Sequence, residues 1–465
     1  MIKLKVLFAG AESYPFYKVG GLGDVLGSLP KALAQEGVNI HVVIPLTKKV
    51  DIREDIQGQN IISSPVGDFL HKWTERSGVI FHFLSHPSYS NRPEIYRQPD
   101  EVELFQIFST GVAVLAKELD TDIIHMNDWH TAFTAVAMKY MNIINKKTVL
   151  TIHNIAFQGQ TSPARLLFFL PEELWNAIRI GTEANILKGG IVLADFVTTV
   201  SPSHAKELTT PTYGSPLHPF LKKRYEEGSF VGILNGIDTN IWNPLTDPYI
   251  WAPYDTEDVI ESKKINRQSL RRELGLHTNE DLPLIGIVSR LTHQKGIDIF
   301  LQTVDIALEL GFQIVILGTG DPEIEEILTK TVSRFPGDIV FINQYSEKKA
   351  HQIYASATHF LMPSRYEPGG LAAMIAMRYG TLPIATMTGG LQDSIIDISE
   401  NANGTGFLFE GPTPLSLAKA LIKAYRHWNS ENYPSNVICA MNQDFSWNKS
   451  AREYINIYKQ LLSKA

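Results

Sequence analysis

The chain has 465 residues, which predicts roughly two to four domains with large hydrophobic cores. With 42 Lys and Arg against 49 Asp and Glu, its net charge of −7 excludes a general nucleic-acid binder, because no basic surplus exists to neutralise phosphates. The single cysteine excludes an internal disulfide framework, and no apolar run approaches the ~18 residues of a membrane helix, so we expect a cytoplasmic protein without a membrane partner.

Short apolar runs alternate with amphipathic stretches along almost the whole chain. Runs that are β-branched or aromatic and end in turn residues predict buried strands at 5–9, 40–44, 80–84, 123–125, 148–153 and 196–200, and again at 284–289, 313–317, 339–342, 360–362 and 382–385. Helical patterns lie between them, for example over 25–35, 105–118 and 266–274. This alternation predicts the α/β class, with parallel sheets joined by right-handed crossovers.

Roughly six strands in each half favour two doubly wound domains over one very large sheet. The stretch between Trp242 and Ile260 is rich in Pro and Asp and lacks periodicity, so we predict an N-terminal domain at 1–245 and a second domain at 246–445. Ligands of open parallel sheets bind beyond the carboxyl ends of the strands. Candidate site residues are therefore expected in the loops that follow strands.

A glycine-rich turn with the sequence KVGGLGD follows the first predicted strand, at residues 18–24. Glycines such as Gly20 and Gly21 let backbone amides approach an anion at the start of a helix, and Lys18 adds a mobile positive charge. The spacing is not the Gly-x-Gly-x-x-Gly of dinucleotide sites. A tight loop with a solvated lysine is the alternative.

Asp128 and His153 stand at the ends of two predicted strands in the first half. Polar side chains at strand ends are candidates for a binding site. Taken singly, Asp128 is equally well explained as a helix N-cap and His153 as a hydrogen-bonded core histidine. The presence of two such polar strand ends in the first half of the chain favours a ligand-binding or catalytic site there.

Arg290 and Lys295 follow a predicted strand in the second half, and no acidic residue intervenes before Asp298. A rigid guanidinium fork together with a point charge suits a pyrophosphate. The alternative is a solvated basic loop.

The segment GTGDP at 318–322 also resembles a phosphate loop, but structural capping explains it better. Asp321 is a good N-cap, and Pro322 suits the first helical position. The acids that follow, Glu323 and Glu325, complement the helix dipole themselves and would repel a phosphate.

The segment MPSRYEPGGL at 362–371 precedes an apolar helix whose first turn contains no acidic residue. The free amides after Gly370 predict a phosphate site, with Glu367 beside it to hold sugar hydroxyls or oppose developing positive charge. A second glycine turn begins at Thr388 after the next predicted strand. The alternative is that these glycines only form ordinary turns between a strand and the following helix.

Together these segments resemble glycosyltransferase family 5, the bacterial glycogen synthases and plant starch synthases. The resemblance covers nearly the whole chain and rests on the combination of KVGGLGDV at 18–25, DWHT at 128–131, HN at 153–154, TVSP at 199–202, NGID at 235–238, Arg290 with Lys295, and SRYEP at 364–368. It implies the GT-B fold, two Rossmann-like domains facing across a cleft. It also implies that a last helix, in the segment 446–465, returns to the first domain.

The resemblance implies a retaining enzyme that moves glucose from ADP-glucose to the non-reducing end of an α-1,4-glucan, glycogen or a maltooligosaccharide, and needs no metal or other cofactor. The catalytic residues that it implies are Asp128, His153, Arg290, Lys295 and Glu367. The donor-binding residues are Lys18, Gly20, Gly21, Arg290, Lys295, Tyr345, Gly369, Gly370, Leu371, Thr388 and Gly389. Among these, Tyr345 falls where the family places an aromatic residue near the adenine.

The chain departs from the family pattern beside two of these motifs. Gly369 replaces the usual cysteine, Ala372 and Ala373 replace a polar pair, and Asn127 replaces the usual histidine before the Asp-Trp-His motif. Three alternatives therefore stay open: a UDP-glucose donor, a small-molecule acceptor, and a non-catalytic glucan-binding relative.

Overall fold

The computed structural model describes residues 4–52, 56–279 and 281–463, so the outermost residues of the predicted domains, 1–3 and 464–465, lie outside the described chain. Two compact units are present, Met1–Asn235 with Trp447–Ala465, and Gly236–Ser446. The division falls before the predicted boundary at Leu245. The Pro- and Asp-rich stretch belongs to the second unit because Asp247 is buried there and accepts hydrogen bonds from His351 Nδ1 at 2.7 Å and Tyr379 Oη at 2.6 Å.

The first unit is built around one large sheet. Its strands are β1 (Lys5–Ala9), β2 (Asn39–Pro45), β3 (Gly58–Ser64), β4 (Gly67–Arg76), β5 (Val79–Ser85), β6 (Ile123–Asn127), β7 (Lys147–Ile152), β8 (Gln160–Thr161), β9 (Arg179–Ile180), β10 (Glu183–Asn185), β11 (Phe196–Thr199) and β12 (Phe230–Gly232). Its helices are α1 (Gly21–Gln35), α2 (Glu101–Glu118), α3 (Trp129–Tyr140), α4 (Glu172–Ile178), α5 (Ile186–Leu193), α6 (Pro202–Leu208), α7 (Pro211–Gly214) and α8 (His218–Glu226), with a 3₁₀ turn at Pro163–Arg165.

The large sheet has the order β12-β11-β7-β6-β1-β2-β5-β4-β3, while β8, β10 and β9 form a small sheet of their own. Seven strands, from β12 to β5, pair in parallel, and the last two pairs are antiparallel. The predicted parallel strands are confirmed, since buried clusters cover both faces of the sheet and parallel strands buried on both faces are continuous apolar runs. The antiparallel β3 and β4 were not predicted, because they contain many polar residues and form no such run.

The second unit repeats the α/β alternation. Its strands are β13 (Leu284–Val288), β14 (Gln313–Leu317), β15 (Ile339–Ile342), β16 (His359–Met362), β17 (Leu382–Thr386) and β18 (Phe407–Phe409). Its helices are α9 (Val259–Leu274), α10 (Ile297–Leu301), α11 (Val304–Glu309), α12 (Pro322–Ser333), α13 (Glu347–Ser356), α14 (Leu371–Arg378), α15 (Gly389–Ser394), α16 (Pro414–Trp428) and α17 (Tyr433–Met441), with a 3₁₀ turn at His293–Lys295. All strand pairs in the order β15-β14-β13-β16-β17-β18 are parallel.

The strand orders place a switch point in each sheet. In the first unit β1 lies between β6 and β2, and in the second unit β13 lies between β14 and β16. The chain leaves neighbouring strands in opposite directions at such a point, which opens a crevice at their carboxyl ends. The loops after β1 and β6, and those after β13 and β16, carry most of the predicted site residues.

The last helix, α18 (Trp447–Ser463), packs on the first unit. The hydroxyl of Tyr458 lies 2.7 Å from Nδ1 of His125 on β6, and Ser450 Oγ donates a hydrogen bond to the carbonyl of Leu234 at 2.5 Å. Arg452 pairs with Glu36 at 2.9 Å. Across the described residues, no helix combines the length and the apolar character needed to cross a membrane.

Three buried histidines form a hydrogen-bonded chain across β2, β5 and β4. His41 Nδ1 lies 2.8 Å from His82 Nε2, His82 Nδ1 lies 2.8 Å from His71 Nε2, and His71 Nδ1 lies 2.8 Å from Asn60 Oδ1. Because the Asn60 oxygen only accepts, each ring donates from Nδ1 and accepts at Nε2. Burial lowers the pKa of His41 and of His71 to about 4 and lowers that of His82 as well, so all three rings are neutral at pH 7.

The histidine chain predicts acid-sensitive stability. Between pH 6.5 and 4 the unfolded chain binds protons that these folded histidines do not, so the free energy of unfolding falls as pH falls through this window, by about 1.4 kcal/mol per unit of pKa depression. Urea denaturation across this range is expected to give a shallower pH dependence for the triple variant His41→Leu, His71→Leu, His82→Leu. An unchanged slope in the triple variant would contradict the assignment.

Candidate active site

The glycine-rich turn after β1 is held by a carboxylate from its own chain. Glu12 is 3% exposed, and its carboxylate accepts hydrogen bonds from the amide of Val19 and from that of Gly20, the latter at 3.1 and 3.2 Å. Burial raises the pKa of Glu12, and these hydrogen bonds oppose the rise. The Gly20 amide, predicted to bind the donor, therefore already has an acceptor. The sequence pattern did not predict this role of Glu12, because Glu12 and Gly20 meet only in the folded turn.

The other predicted residues of this turn lie nearer the surface. Gly21 begins α1 and is exposed. Lys18 is 37% exposed, and its Nζ lies 2.7 Å from Asp24 Oδ1. An ion pair this exposed adds little to stability. Breaking it so that Lys18 can bind an anionic ligand therefore costs little free energy.

Asp128 links the ends of β6 and β7. Its φ of 57° lies in the left-handed region, which is strained for a residue with a side chain. Its Oδ1 accepts hydrogen bonds from the backbone amides of His153 at 2.7 Å and Asn154 at 3.2 Å. Although Asp128 occupies the N-cap position of α3, its side chain makes no capping hydrogen bond there, so the simple N-cap alternative is wrong.

His153 lies beside Asp128 as a neutral ring. Burial lowers the pKa of His153 to about 3, and burial, helped by the charge of Glu12, raises the pKa of Asp128 to about 7. The ring Nε2 lies 2.9 Å from Oδ1 of Asn127, and the side chain is half-buried rather than enclosed. The first unit thus brings two predicted catalytic residues together, with Asn127 as a third member that sequence reasoning noted only as a departure.

Lys295 and Glu367 form an ion pair at the switch point of the second unit. Lys295 Nζ lies 2.5 Å from Glu367 Oε2, and Ser364 Oγ donates to the same oxygen at 3.2 Å. Both side chains are largely buried, with 17% and 11% exposed.

Arg290 follows β13 and is exposed, and it makes no ion pair with any described residue. Its charge lowers the pKa of Tyr366, against the larger rise due to burial.

A clamp joins the loops that carry Lys295 and Glu367. Arg365 binds Asp298 through two parallel hydrogen bonds of 2.8 and 2.7 Å, and it also donates to the carbonyl of His293 at 2.7 Å. The two loops also meet at Gly296, which follows Lys295 and has a φ of 68°. A Cβ at Gly296 would lie 1.9 Å from the carbonyl oxygen of Pro363. The loops therefore meet backbone to backbone, and the bidentate pair fixes their register.

We expect Arg365→Lys to lower kcat by about tenfold, because an ammonium cannot reproduce the two-pronged bond and Lys295 would lose its alignment with Glu367. Steady-state kinetics measure the effect, with Arg334→Lys as the matched control, since Arg334 faces Asp305 at 3.8 Å on the exposed surface. Equal kcat values for the two variants would contradict the role of the clamp.

Two glycine turns touch beside Glu367. The amide of Gly390 donates to the carbonyls of Glu367 at 2.9 Å and Pro368 at 3.1 Å, and a Cβ at Gly390 would lie 2.5 Å from the carbonyl carbon of Gly369. Gly370 has a φ of 66° and caps α14, whose first turn begins at Leu371 and contains no acidic residue. The positive end of this helix dipole is not neutralised from within the turn, which favours an anion.

The remaining predicted residues of the second unit take different positions. Thr388 occupies the N-cap position of α15, which begins at Gly389, and Thr388 is buried. Tyr345 is 78% exposed on the loop between β15 and α13. Asp321 caps α12 through the amide of Glu323, and Gly320 donates to Glu325 at 2.7 Å, which confirms the capping explanation of this loop.

Metal ligands do not cluster in the described part of the chain: no group of three or more His, Cys, Asp or Glu side chains is arranged to hold an ion. Among the described residues, the ionisable side chains predicted from the sequence to bind a ligand include Lys18, Arg290, Lys295, Glu367 and Asp128.

Family models match both units. The model described as "Starch synthase catalytic domain" matches residues 5–223, and "Glycosyl transferases group 1" matches residues 268–437. The chain is 40% identical to a Glycogen synthase of Lactobacillus acidophilus over 481 residues, covering 99% of this chain and 100% of the relative. It is 37% identical to a Glycogen synthase of Thermotoga petrophila over 486 residues, covering 99% of each.

Solved structures agree with these matches. The catalytic domain of Starch Synthase IV from Arabidopsis thaliana, bound to ADP and acarbose, has a TM-score of 0.90 and 33% identity, covering 99% of this chain and 100% of that one. Sucrose-phosphate synthase from Thermosynechococcus elongatus shares the fold, with a TM-score of 0.65, 19% identity and 100% of each chain covered. The predicted GT-B fold is confirmed. The chain belongs to glycosyltransferase family 5, the family of the bacterial glycogen synthases and the plant starch synthases.

Proposed function

We propose that this chain transfers glucose from ADP-glucose to the non-reducing end of an α-1,4-glucan, in the cytoplasm, with retention of the anomeric configuration and without a metal. The observation that carries the proposal is the pairing of Lys295 with Glu367 at the switch point of the second unit, beside the acid-free start of α14. The relatives named Glycogen synthase and the starch synthase bound to ADP support it.

The cations of the second unit suit a nucleoside diphosphate leaving group. As the glycosidic bond to phosphate breaks, negative charge grows on the diphosphate, and preorganised positive groups stabilise it. Lys295 and Arg290 supply two such groups, and the amides that begin α14 at Leu371 supply donors. Lys295 is already held in place by Glu367, so little reorganisation is needed when the diphosphate binds.

The carboxylate of Glu367 suits the sugar. Loss of the diphosphate leaves positive charge near the anomeric carbon, which a fixed carboxylate opposes. Glu367 is 8% exposed, and its contacts with Lys295 and Ser364 fix the orientation of its carboxylate. In the first unit, His153 and Asp128 offer neutral and acidic hydrogen-bonding groups for sugar hydroxyls. Exclusion of water by a bound glucan would favour transfer over hydrolysis.

One set of incubations tests this function and separates it from its alternatives. The enzyme is supplied with ADP-glucose or UDP-glucose, each with and without glycogen, and nucleotide release is followed, with Lys295→Ala as the inactive control. We expect release with ADP-glucose and glycogen together. Release with UDP-glucose instead would establish the other donor, release without glycogen would indicate transfer to water, and no release would support a small-molecule acceptor or a glucan-binding protein.

A further inference from the structure

The amide of Asn127 has only one orientation that satisfies its surroundings. Asn127 ends β6 and is 1% exposed, and its Nδ2 donates to the carbonyl oxygens of Ala9 at 3.0 Å and His125 at 3.3 Å. Carbonyl oxygens only accept hydrogen bonds, so both must face the NH₂ group. A flipped amide would direct Oδ1 at two other oxygens in a buried position. Oδ1 of Asn127 is therefore the atom that faces His153.

This orientation determines where the proton of His153 lies. His153 Nε2 lies 2.9 Å from Asn127 Oδ1, which has no hydrogen to give. Nε2 must therefore carry the hydrogen and donate it, and in a neutral imidazole the lone pair then lies on Nδ1. Burial keeps the ring neutral, with its pKa near 3. No hydrogen bond within the described residues engages Nδ1, and the residue is partly accessible to solvent.

The charged and titratable groups around the ring do not change this assignment. Asp128 receives the backbone amide of His153 on Oδ1 rather than its ring, and Glu12 is bound to the glycine turn. His125 uses both ring nitrogens, on Tyr458 and on Thr151, and burial lowers the pKa of His130 to about 3. None of these groups competes with Asn127 for Nε2.

We infer that Asn127 is a positioning residue that holds His153 as the Nε2–H tautomer, so that His153 presents the Nδ1 lone pair as an acceptor for a hydroxyl group of the bound hexose. The inference rests on the proposed function for the identity of the ligand, but the tautomer follows from the protein alone. A sugar hydroxyl is a donor that matches this lone pair. His153 would thus accept a hydrogen bond from one hydroxyl group of the hexose at a fixed position.

The tautomer is measured directly in the ligand-free protein. In ¹⁵N-histidine-labelled enzyme at pH 7, long-range ¹H–¹⁵N spectra distinguish protonated from unprotonated ring nitrogens, and His153→Gln identifies the His153 signals by their loss. We expect a protonated Nε2 and an unprotonated Nδ1. A protonated Nδ1, or a doubly protonated ring, would overturn the inference. This result does not depend on activity, so it stands or falls separately from the proposed function.

Steady-state kinetics then test whether the tautomer of His153 affects kcat/KM for the sugar donor. Asn127→Leu removes the acceptor for Nε2–H and is expected to lower kcat/KM by about tenfold in the wild-type background. In the His153→Gln background, where no Nδ1 acceptor exists, the same substitution is expected to cost less than about twofold, because the two residues act as a unit. Equal losses in both backgrounds would overturn the positioning role.

A second pair of variants keeps the test decisive if Asn127→Leu folds poorly. In His153→Asn the side-chain oxygen can occupy the position of the Nδ1 atom of the imidazole. In His153→Gln the longer side chain places its amide group near the position of Nε2 instead. His153→Asn should therefore retain more kcat/KM than His153→Gln, with matching thermal unfolding midpoints. The reverse order would contradict the acceptor role of Nδ1.

Discussion

Replacing Lys295 or Arg290 by alanine is expected to lower kcat by about two to three orders of magnitude each, the loss that follows removal of one preorganised group from a developing negative charge. Lys295→Ala carries a second cost, because Glu367 is 8% exposed and loses its ion-pair partner, which lies at 2.5 Å. Arg290 makes no ion pair with the described residues, so Arg290→Ala should act on turnover with almost no change in stability.

Nucleotide release with saturating ADP-glucose and glycogen measures both effects, and thermal unfolding confirms that the variants fold. Lys330→Ala is the matched control, since Lys330 forms an exposed pair with Glu326 within α12 and is 72% exposed. Turnover near that of the wild type in both Lys295→Ala and Arg290→Ala would contradict their assignment to the diphosphate.

Asp128→Ala is expected to lower kcat/KM by about a hundredfold or more, because it frees the loop after β7 that positions His153. Asp128→Asn should lose much less at pH 8, since both amide hydrogen bonds go to a single oxygen, Oδ1, which asparagine retains. Comparing the two variants separates the positioning function of Oδ1 from the negative charge. Equal losses would show that the charge, and not the geometry, is what matters.

The pH dependence of kcat/KM tests the role of Asp128 independently. Burial raises the pKa of Asp128 to about 7, so the carboxylate takes up a proton as pH falls below 7. Protonation removes the charge but leaves Oδ1 able to accept the two amide hydrogen bonds, as in Asp128→Asn. The wild-type kcat/KM is therefore expected to decline from pH 8 to pH 6 by no more than the factor that Asp128→Asn loses at pH 8, and the profile of Asp128→Asn should be flatter there. A wild-type profile that is flat through pH 7, together with a clear loss in Asp128→Asn at pH 8, would contradict the raised pKa.

Apart from the three-residue β12 and β18, the parallel strands of the two large sheets were predictable because each is an apolar run, as β14 at Gln313–Leu317 shows. The antiparallel β3 and β4 were not, since their residues form no such run. Strand order was also beyond prediction, because it depends on pairing between distant segments. That order is what brings the loops after β13 and β16, and hence Lys295 and Glu367, to one place.

The candidate site was predictable where residue type alone implies chemistry, as for Arg290, Lys295 and Glu367. It was not predictable where a residue acts through its neighbours. Glu12 holds Gly20, and Asn127 orients His153, through contacts between segments far apart in the chain. Arg365 lies in the same motif as Glu367, but its hydrogen bonds to Asp298 form only where two loops meet in the folded chain.

The structure of the first product tests the central proposal most directly. A short maltooligosaccharide is incubated with ADP-glucose, and the product is examined by ¹H NMR and mass spectrometry while ADP release is counted. We predict one glucose added per ADP released, joined by an α-1,4 bond at the non-reducing end. A β-linked product, or ADP release that yields free glucose and no longer chain, would contradict the account.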